Sequence, residues 1–206
     1  KRKNLKRKNL KRKNLKRKNL KRNLSKYIMS ELIEATKRKD LNKVKELIKS
    51  GVNLNAKDTY GGTALIYASK RGNTEIVKLL LKNDANPDIQ DKFGHTALIE
   101  ASYGFVYQRK NSPGIIKLLI DAGADLNIQE RHGATALMEA LLREHMDIVK
   151  LLVESGADPD VPNSEGRKPI DNPQVQEIYS SHVRRKLNQA ENRMTLAKLA
   201  KKLTDD

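Results

Sequence analysis

The chain has 206 residues, and its 42 Lys and Arg against 25 Asp and Glu residues give a formal net charge of +17. It has no Cys, no Trp and only two Phe, which excludes disulfides and thiolate metal sites and leaves an aliphatic, Ala-rich core. No apolar segment approaches the roughly 20 residues of a membrane-spanning helix, so we expect no membrane partner and an intracellular, cytoplasmic location.

The first 28 residues are a low-complexity basic segment. Residues 1–20 are four copies of KRKNL, and residues 1–26 hold 15 of the 42 basic side chains and no acidic one. The rest of the chain has 27 basic and 25 acidic residues, so this body of the chain is nearly neutral. A period of five residues builds no apolar face on a helix or strand, and like charges repel, so we expect disorder.

Two interpretations of this basic segment stay open. One is a repeat expansion without a function, in which Met29 is the true start of translation. The other is a working arm in residues 1–26 that neutralises the phosphates of a nucleic acid, or that serves as a nuclear-import signal in a eukaryotic host.

Deleting residues 1–28 distinguishes these interpretations. We expect the deletion to leave partner capture unchanged if the repeats described below do the binding. If the arm works, the intact chain is retained on DNA with a steep salt dependence, and the shortened chain is not. A salt-titrated DNA-binding assay on both chains checks this, and equal retention of the two chains would contradict a role for the arm.

Three copies of one pattern follow residues 29–57. They begin at Asp58, Asp91 and Glu130 with the segments DTYGGTALIYAS, DKFGHTALIEAS and ERHGATALMEAL. In each copy a Thr before Ala-Leu is a good helix N-cap, namely Thr63, Thr96 and Thr135. Each copy then leads into an apolar run at helical spacing, which in the first copy contains Ile76, Leu79 and Leu80. Because neither short helix buries its face alone, the units must stack.

The second copy is longer than the first. Asp58 and Asp91 are 33 residues apart, whereas Asp91 and Glu130 are 39 apart. The six extra residues fall within 103–110, and the Ser112-Pro113 pair that follows is typical of an N-cap and the first residue of a helix.

Two segments follow the third copy. Residues 163–181 contain NSEGRKPID and then the start of a helix, which we expect to pack on the last copy through Val175, Ile178 and Tyr179. Residues 182–206 have apolar side chains at three- and four-residue steps, which predicts an amphipathic helical tail. Its seam is weak for a coiled coil, because Ala is half of the set Leu187, Ala190, Met194 and Ala197.

The pattern D-x-x-G-x-T-A-L-x-x-A, followed by I-V-x-L-L and G-A-D, resembles the ankyrin repeat over about residues 30–171. The resemblance implies an all-α solenoid of helix-turn-helix units with loop or hairpin tips, between the basic arm and the helical tail. The implied organisation is arm 1–28, N-terminal capping repeat 29–57, three repeats 58–162, C-terminal capping repeat 163–181 and tail 182–206. Where the family reads T-P-L-H, this chain has Ala for Pro, and Ile or Met for His (Ile66, Ile99 and Met138). We expect the fold to survive both changes.

The resemblance implies a non-catalytic scaffold or adaptor, in which loop tips and inner helices bind a protein partner. The tips carry one ring each, at Tyr60, Phe93 and His132, and two of the rings have a neighbouring cation, at Lys92 and Arg131. Exposed aromatic anchors beside a cation are typical of interface hot spots. The alternative is that the tips are simply exposed and variable.

Two further groups are candidates for partner binding. One is a row of cations at the C-terminal ends of the inner helices, which either attracts an acidic partner surface or only complements the helix dipoles. Its members are Lys37, Arg38, Lys70, Arg71 and Arg143. The other is the insertion, with Tyr103, Phe105, Tyr107 and Arg109. Its rings either bind a partner or fold back on the neighbouring repeat.

We expect no enzyme, no cofactor and no metal, and a monomeric chain. The four His residues are far apart in the sequence, and the chain has neither an H-E-x-x-H motif nor a thiol. Metal sites are usually marked by closely spaced His pairs or by Cys ligands. The rival function is that of a nucleic-acid-associated protein, whose arm binds while the repeats recruit a partner.

Overall fold

The computed structural model describes residues 30–104 and 112–204, together with the single position Lys18. The interpretations of the basic segment and of Met29 therefore lie outside the described residues. The same is true of three predicted binding residues in the insertion, Phe105, Tyr107 and Arg109.

The predicted all-α class is confirmed, since every regular element of the described ranges is helical. The elements are α1 (30–37), α2 (Leu41–Lys49), α3 (Ala64–Lys70), α4 (Thr74–Lys82), α5 (Ala97–Tyr103), α6 (Ser112–Asp121), α7 (Ala136–Leu142), α8 (Met146–Glu154), a 3-10 turn (Pro169–Asp171) and α9 (Pro173–Thr204). Helices α3, α5 and α7 pack side by side as an inner layer, and α2, α4, α6 and α8 form an outer layer. Within the described ranges, no helix is long and apolar enough to cross a membrane.

The inner helices begin where the Thr residues predict. Thr63, Thr96 and Thr135 have extended backbones and accept a hydrogen bond from the backbone N–H three residues later. Each cap satisfies one of the N–H groups that a helix start leaves without a partner. The three donors belong to the residues that stand in place of the family's His, namely Ile66, Ile99 and Met138.

The outer helices agree with the predicted apolar spacing, with two corrections. In α4, Ile76, Val77 and Leu80 are buried, whereas Leu79 is only partly buried, because it lies at the edge of the apolar stripe. Helix α6 begins at Ser112, one residue before the predicted start at Pro113. Proline fits any position of a first turn, where no intrahelical N–H bond is lost.

One aliphatic core runs through all units from α1 to α9. The inner helices approach closely because each has an Ala, at most 2% exposed, at the equivalent position (Ala35, Ala68, Ala101 and Ala140). The apolar residues in place of the family's His are buried as expected, each at 4% exposure or less.

The C-terminal segment is one continuous helix, α9, so the boundary expected at 181/182 falls inside it. Val175 is fully buried and Ile178 packs against the core, as predicted. The predicted packing of Tyr179 is wrong, since its side chain is 36% exposed although it lies only about 40° round the helix from Val175. The Arg185 guanidinium lies 2.7 Å from the Glu154 carboxylate and ties α9 to α8.

Candidate functional site

The loop tips between helix pairs form a continuous backbone ladder. The Lys92 N–H donates to the Tyr60 carbonyl at 2.9 Å, and the Arg131 N–H donates to the Phe93 carbonyl at 3.0 Å. The Ser164 N–H continues the ladder to the His132 carbonyl at 2.8 Å. The three ring residues of the tips therefore occupy equivalent positions along one edge, as the repeat spacing predicts.

An acidic residue at the start of each tip fixes its conformation. One carboxylate oxygen of Asp58 accepts from the N–H groups of Tyr60 and Gly62, and the Asp91 carboxylate does the same for Phe93 and His95. The Glu130 carboxylate repeats the arrangement in the third copy. Tyr60 is nevertheless 62% exposed and Phe93 50% exposed, so rigid tips present both rings to solvent.

A cavity of about 320 Å³ opens between the first two tips and the inner helices. Its walls combine rings, one aliphatic side chain and four ionisable groups. They are Tyr60, Ile66, Tyr67, Lys70, Asp91, Phe93, His95 and Glu100.

An ion-pair network spans the cavity and joins two repeats. The Lys70 ammonium lies 2.8 Å from a carboxylate oxygen of Glu100, and His95 Nδ1 lies 3.3 Å from the same oxygen. Asp91 is more distant, with its second oxygen 3.9 Å from His95 Nδ1. Glu100 is buried, with 7% of its surface exposed, so the network compensates a largely desolvated charge.

The ionisation of these groups follows from their contacts. Burial acts to raise the pKa of Glu100, but hydrogen bonds from His95 and Lys70 outweigh it and hold that pKa below its ordinary value. The hydrogen bond to Glu100 raises the pKa of His95, although burial opposes it. The charges of Asp91 and Glu130 raise the pKa of His95 further.

Two members of the predicted cation row, Lys37 and Lys70, are paired with carboxylates of the chain itself. Lys70 pairs with Glu100, and Lys37, the equivalent residue one repeat earlier, lies 3.0 Å from Glu34 and 3.6 Å from Asp58. The Lys37 ammonium also lies 4.3 Å from the centre of the Tyr67 ring. Stacking causes this, because it brings the end of one inner helix beside acidic and aromatic residues of the next unit.

Two arginines of the site, Arg131 and Arg143, lie near aromatic rings. The Arg143 guanidinium is 3.7 Å from the centre of the Tyr103 ring, and that of Arg131 is 5.7 Å from the centre of the Phe93 ring. Tyr103 ends α5 and is 38% exposed. The remaining predicted residues, Arg71, Lys92 and His132, are exposed.

Sequence reasoning missed three residues of the cavity, namely Tyr67, His95 and Glu100. A cue was present, since Lys70 and Glu100 are 30 residues apart, which is one repeat length minus one helical turn. Lys37 and Tyr67 have the same separation. A search for opposite charges at that spacing would have found the pair.

Asp91, His95 and Glu100 could together hold a metal ion, since one ligand atom from each lies within 4.8 Å of the others. Nitrogen and carboxylate donors suit Zn²⁺. However, the Lys70 ammonium already binds Glu100, and Asp91 gives one oxygen to its own tip. The arrangement is therefore better described as an ion-pair network.

Comparison with known proteins agrees with this architecture. A family model described as ankyrin repeats (3 copies) matches residues 32–128 and 105–171. No curated protein shows significant similarity to the chain. The match covers more than half of the chain and coincides with the stacked helix pairs and their tips, so the chain belongs to the ankyrin-repeat family.

Proposed function

We propose that this chain is a non-catalytic scaffold that binds a protein partner along its tip edge, with Tyr60 and Phe93 as anchors. Ankyrin repeats are protein–protein interaction modules, which supports the general role. The observation that carries the specific proposal is that two large rings, 62% and 50% exposed, stand on consecutive tips joined by a backbone hydrogen bond.

Rigid exposed rings are efficient anchors for physical reasons. A ring buries a large apolar area when a partner covers it, and it gives up few rotatable bonds. The tips are already fixed by Asp58 and Asp91, so little backbone order has to be gained on binding. Hot-spot residues at interfaces have this combination of size and preorganisation.

The charge of the partner is a separate question. The cation row leaves open whether the partner has an acidic surface, and the Lys70 charge is balanced by Glu100. The exposed cations of the tips, Lys92 and Arg131, remain available to acidic groups at the rim of an interface, where charge pairs contribute little affinity.

We expect the double substitution Tyr60→Ala and Phe93→Ala to weaken partner binding at least about thirtyfold, because truncating each of the two hot-spot rings removes roughly 1 kcal/mol or more. The immobilised chain is used to capture partners from an extract of the source cells, and dissociation constants are then measured with the purified partner. Unfolding in urea should show that the variant keeps its stability.

Tyr179→Ala is the matched control, since this ring is also exposed but lies on α9. It should leave capture unchanged. Equal capture by the wild-type chain and the double variant would contradict the proposal, and a loss of capture with Tyr179→Ala would place the interface on α9.

A further inference from the structure

We propose that the cavity between the first two tips is a subsite for an arginine side chain of the protein partner. This inference rests on the proposed function, because the same interface would supply both the partner and its arginine. It follows from the rings of the cavity, from its excess of carboxylates and from the way the chain places its own arginines.

The rings provide the first argument. Tyr60 and Phe93 line the cavity and have larger exposed fractions than the other exposed Tyr rings of the described ranges, Tyr103 and Tyr179. The face of an aromatic ring is electronegative and attracts cations, arginine most often. Arg143 over Tyr103 and Arg131 near Phe93 show that rings of this surface accept a guanidinium.

The balance of charges provides the second argument. When His95 is neutral, two carboxylates, Asp91 and Glu100, line the cavity against one ammonium, that of Lys70. The third repeat has two more carboxylates near the cavity, Glu130 and Glu139. The charges of Glu130 and Glu100 both act on Glu139. Burial, assisted by these neighbours, raises the pKa of Glu139 even though Arg143 opposes the shift.

These carboxylates are only partly offset by nearby cations, namely Arg143 and, when it is protonated, His95. Within the described ranges, Glu139 forms no ion pair of its own, and Glu130 is buried in its tip with 8% exposure. The cations Lys92 and Arg131 lie on exposed tips, where water and salt screen their charge. A partner cation in the cavity would balance the negative charge that is left there when His95 is neutral.

The shape and chemistry of the cavity favour arginine over lysine. A guanidinium is flat, weakly hydrated and able to donate to two carboxylates while stacking on a ring, whereas an ammonium is compact and strongly hydrated. Ile66 and the Tyr67 ring add apolar surface, which suits the aliphatic stem of an arginine.

His95 couples this subsite to pH. Three carboxylates face His95, namely Asp91 of its own tip, Glu100 of α5 and Glu130 of the third tip. Lys70 and Tyr60 line the same cavity. Glu139 and Arg143 lie outside the cavity, in the third repeat. A cation beside a protonated imidazole is repelled, so binding should lower the pKa of His95. Conversely, affinity should increase as pH rises through that pKa.

The test is an NMR titration of the full chain with N-acetyl-arginine amide and with its uncharged isostere, N-acetyl-citrulline amide. We expect the arginine derivative to bind at least about fivefold more tightly, to shift the amide signals of Tyr60 and Phe93, and to lower the pKa of His95. Equal binding of the two compounds, or an unchanged pKa of His95, would overturn the proposal. N-acetyl-lysine amide that binds as tightly as the arginine derivative would overturn the choice of arginine.

Variants locate the effect. Phe93→Ala and Glu139→Gln should each reduce the preference for arginine over citrulline at least twofold, and Glu139→Gln should do so without loss of stability, since burial already disfavours its charge. The controls Tyr179→Ala and Glu46→Gln, a ring and a carboxylate exposed elsewhere, should leave the preference unchanged. An unchanged preference in Phe93→Ala would contradict a subsite in this cavity. If arginine is not preferred but partner capture still depends on the tip rings, the arginine subsite is wrong and the scaffold function stands.

Discussion

Replacing Gly94 with alanine is expected to destabilise the domain by roughly 3–5 kcal/mol. Gly94 has φ +86°, and this backbone conformation by itself destabilises a residue with a side chain by about 1–2 kcal/mol. In addition, an added Cβ would lie 2.8 Å from Glu130 Cα and 2.9 Å from Arg131 N. Since the obstacle is backbone, the two tips must separate, which strains the hydrogen bond from Arg131 N–H to the Phe93 carbonyl. Urea-induced unfolding measures the loss.

Gly166→Ala is the matched control for this prediction. Gly166 occupies the same tip position in the last unit with φ +75°, but an added Cβ would meet nothing within 4 Å. We expect a loss of only about 1–2 kcal/mol there, which is the contribution of backbone conformation alone. If both variants lose the same stability, the close approach of the tips is not what stabilises the array.

The fold could be predicted from sequence because its signals are local and repeat. Thr96 caps a helix through a backbone group three residues away, and Asp91 fixes its tip within four residues. The equivalent residues recur in each copy, so the stacking follows from the period. The predicted packing of Tyr179 failed because the sequence shows that a helix has an apolar side but not where its neighbour ends.

The candidate site was predictable only in part. Phe93 is exposed on its tip because the tip is a local structure, so its position could be read from the sequence. The Lys70–Glu100–His95 network crosses from one repeat to the next, and a view of one repeat at a time assigns Lys70 as a free cation. The sequences of neighbouring repeats have to be compared in their stacking register, 30 residues apart, before its charge is seen to face Glu100.

Replacing Lys70 with methionine is expected to lower the free energy of unfolding by about 2 kcal/mol at pH 8. The substitution leaves the buried Glu100 carboxylate with His95 as its remaining partner. Breaking a fully buried ion pair by removing one partner lowers stability more, by about 3–5 kcal/mol. The effect is smaller here because the Lys70 side chain is 41% exposed and solvent screens its charge. Lys168→Met is the matched control, since its side chain is equally exposed but its partner Asp160 is 62% exposed. That control should lose less than about 0.5 kcal/mol.

The loss in Lys70→Met should be smaller at pH 5.5 than at pH 8. The pKa of His95 is raised in the folded chain, so its stabilising contribution is fully present below its unfolded pKa near 6.5 and disappears as pH rises through the folded pKa. At pH 5.5 the imidazolium can therefore replace the missing ammonium beside Glu100, whereas above the folded pKa of His95 the neutral ring cannot. Urea-induced unfolding at both pH values measures this difference. Only a shared carboxylate makes the effect of removing one cation depend on the protonation of the other. A loss of stability that is the same at both pH values would therefore show that the three groups do not act as one network. A loss no greater than that of Lys168→Met at pH 8 would show the same.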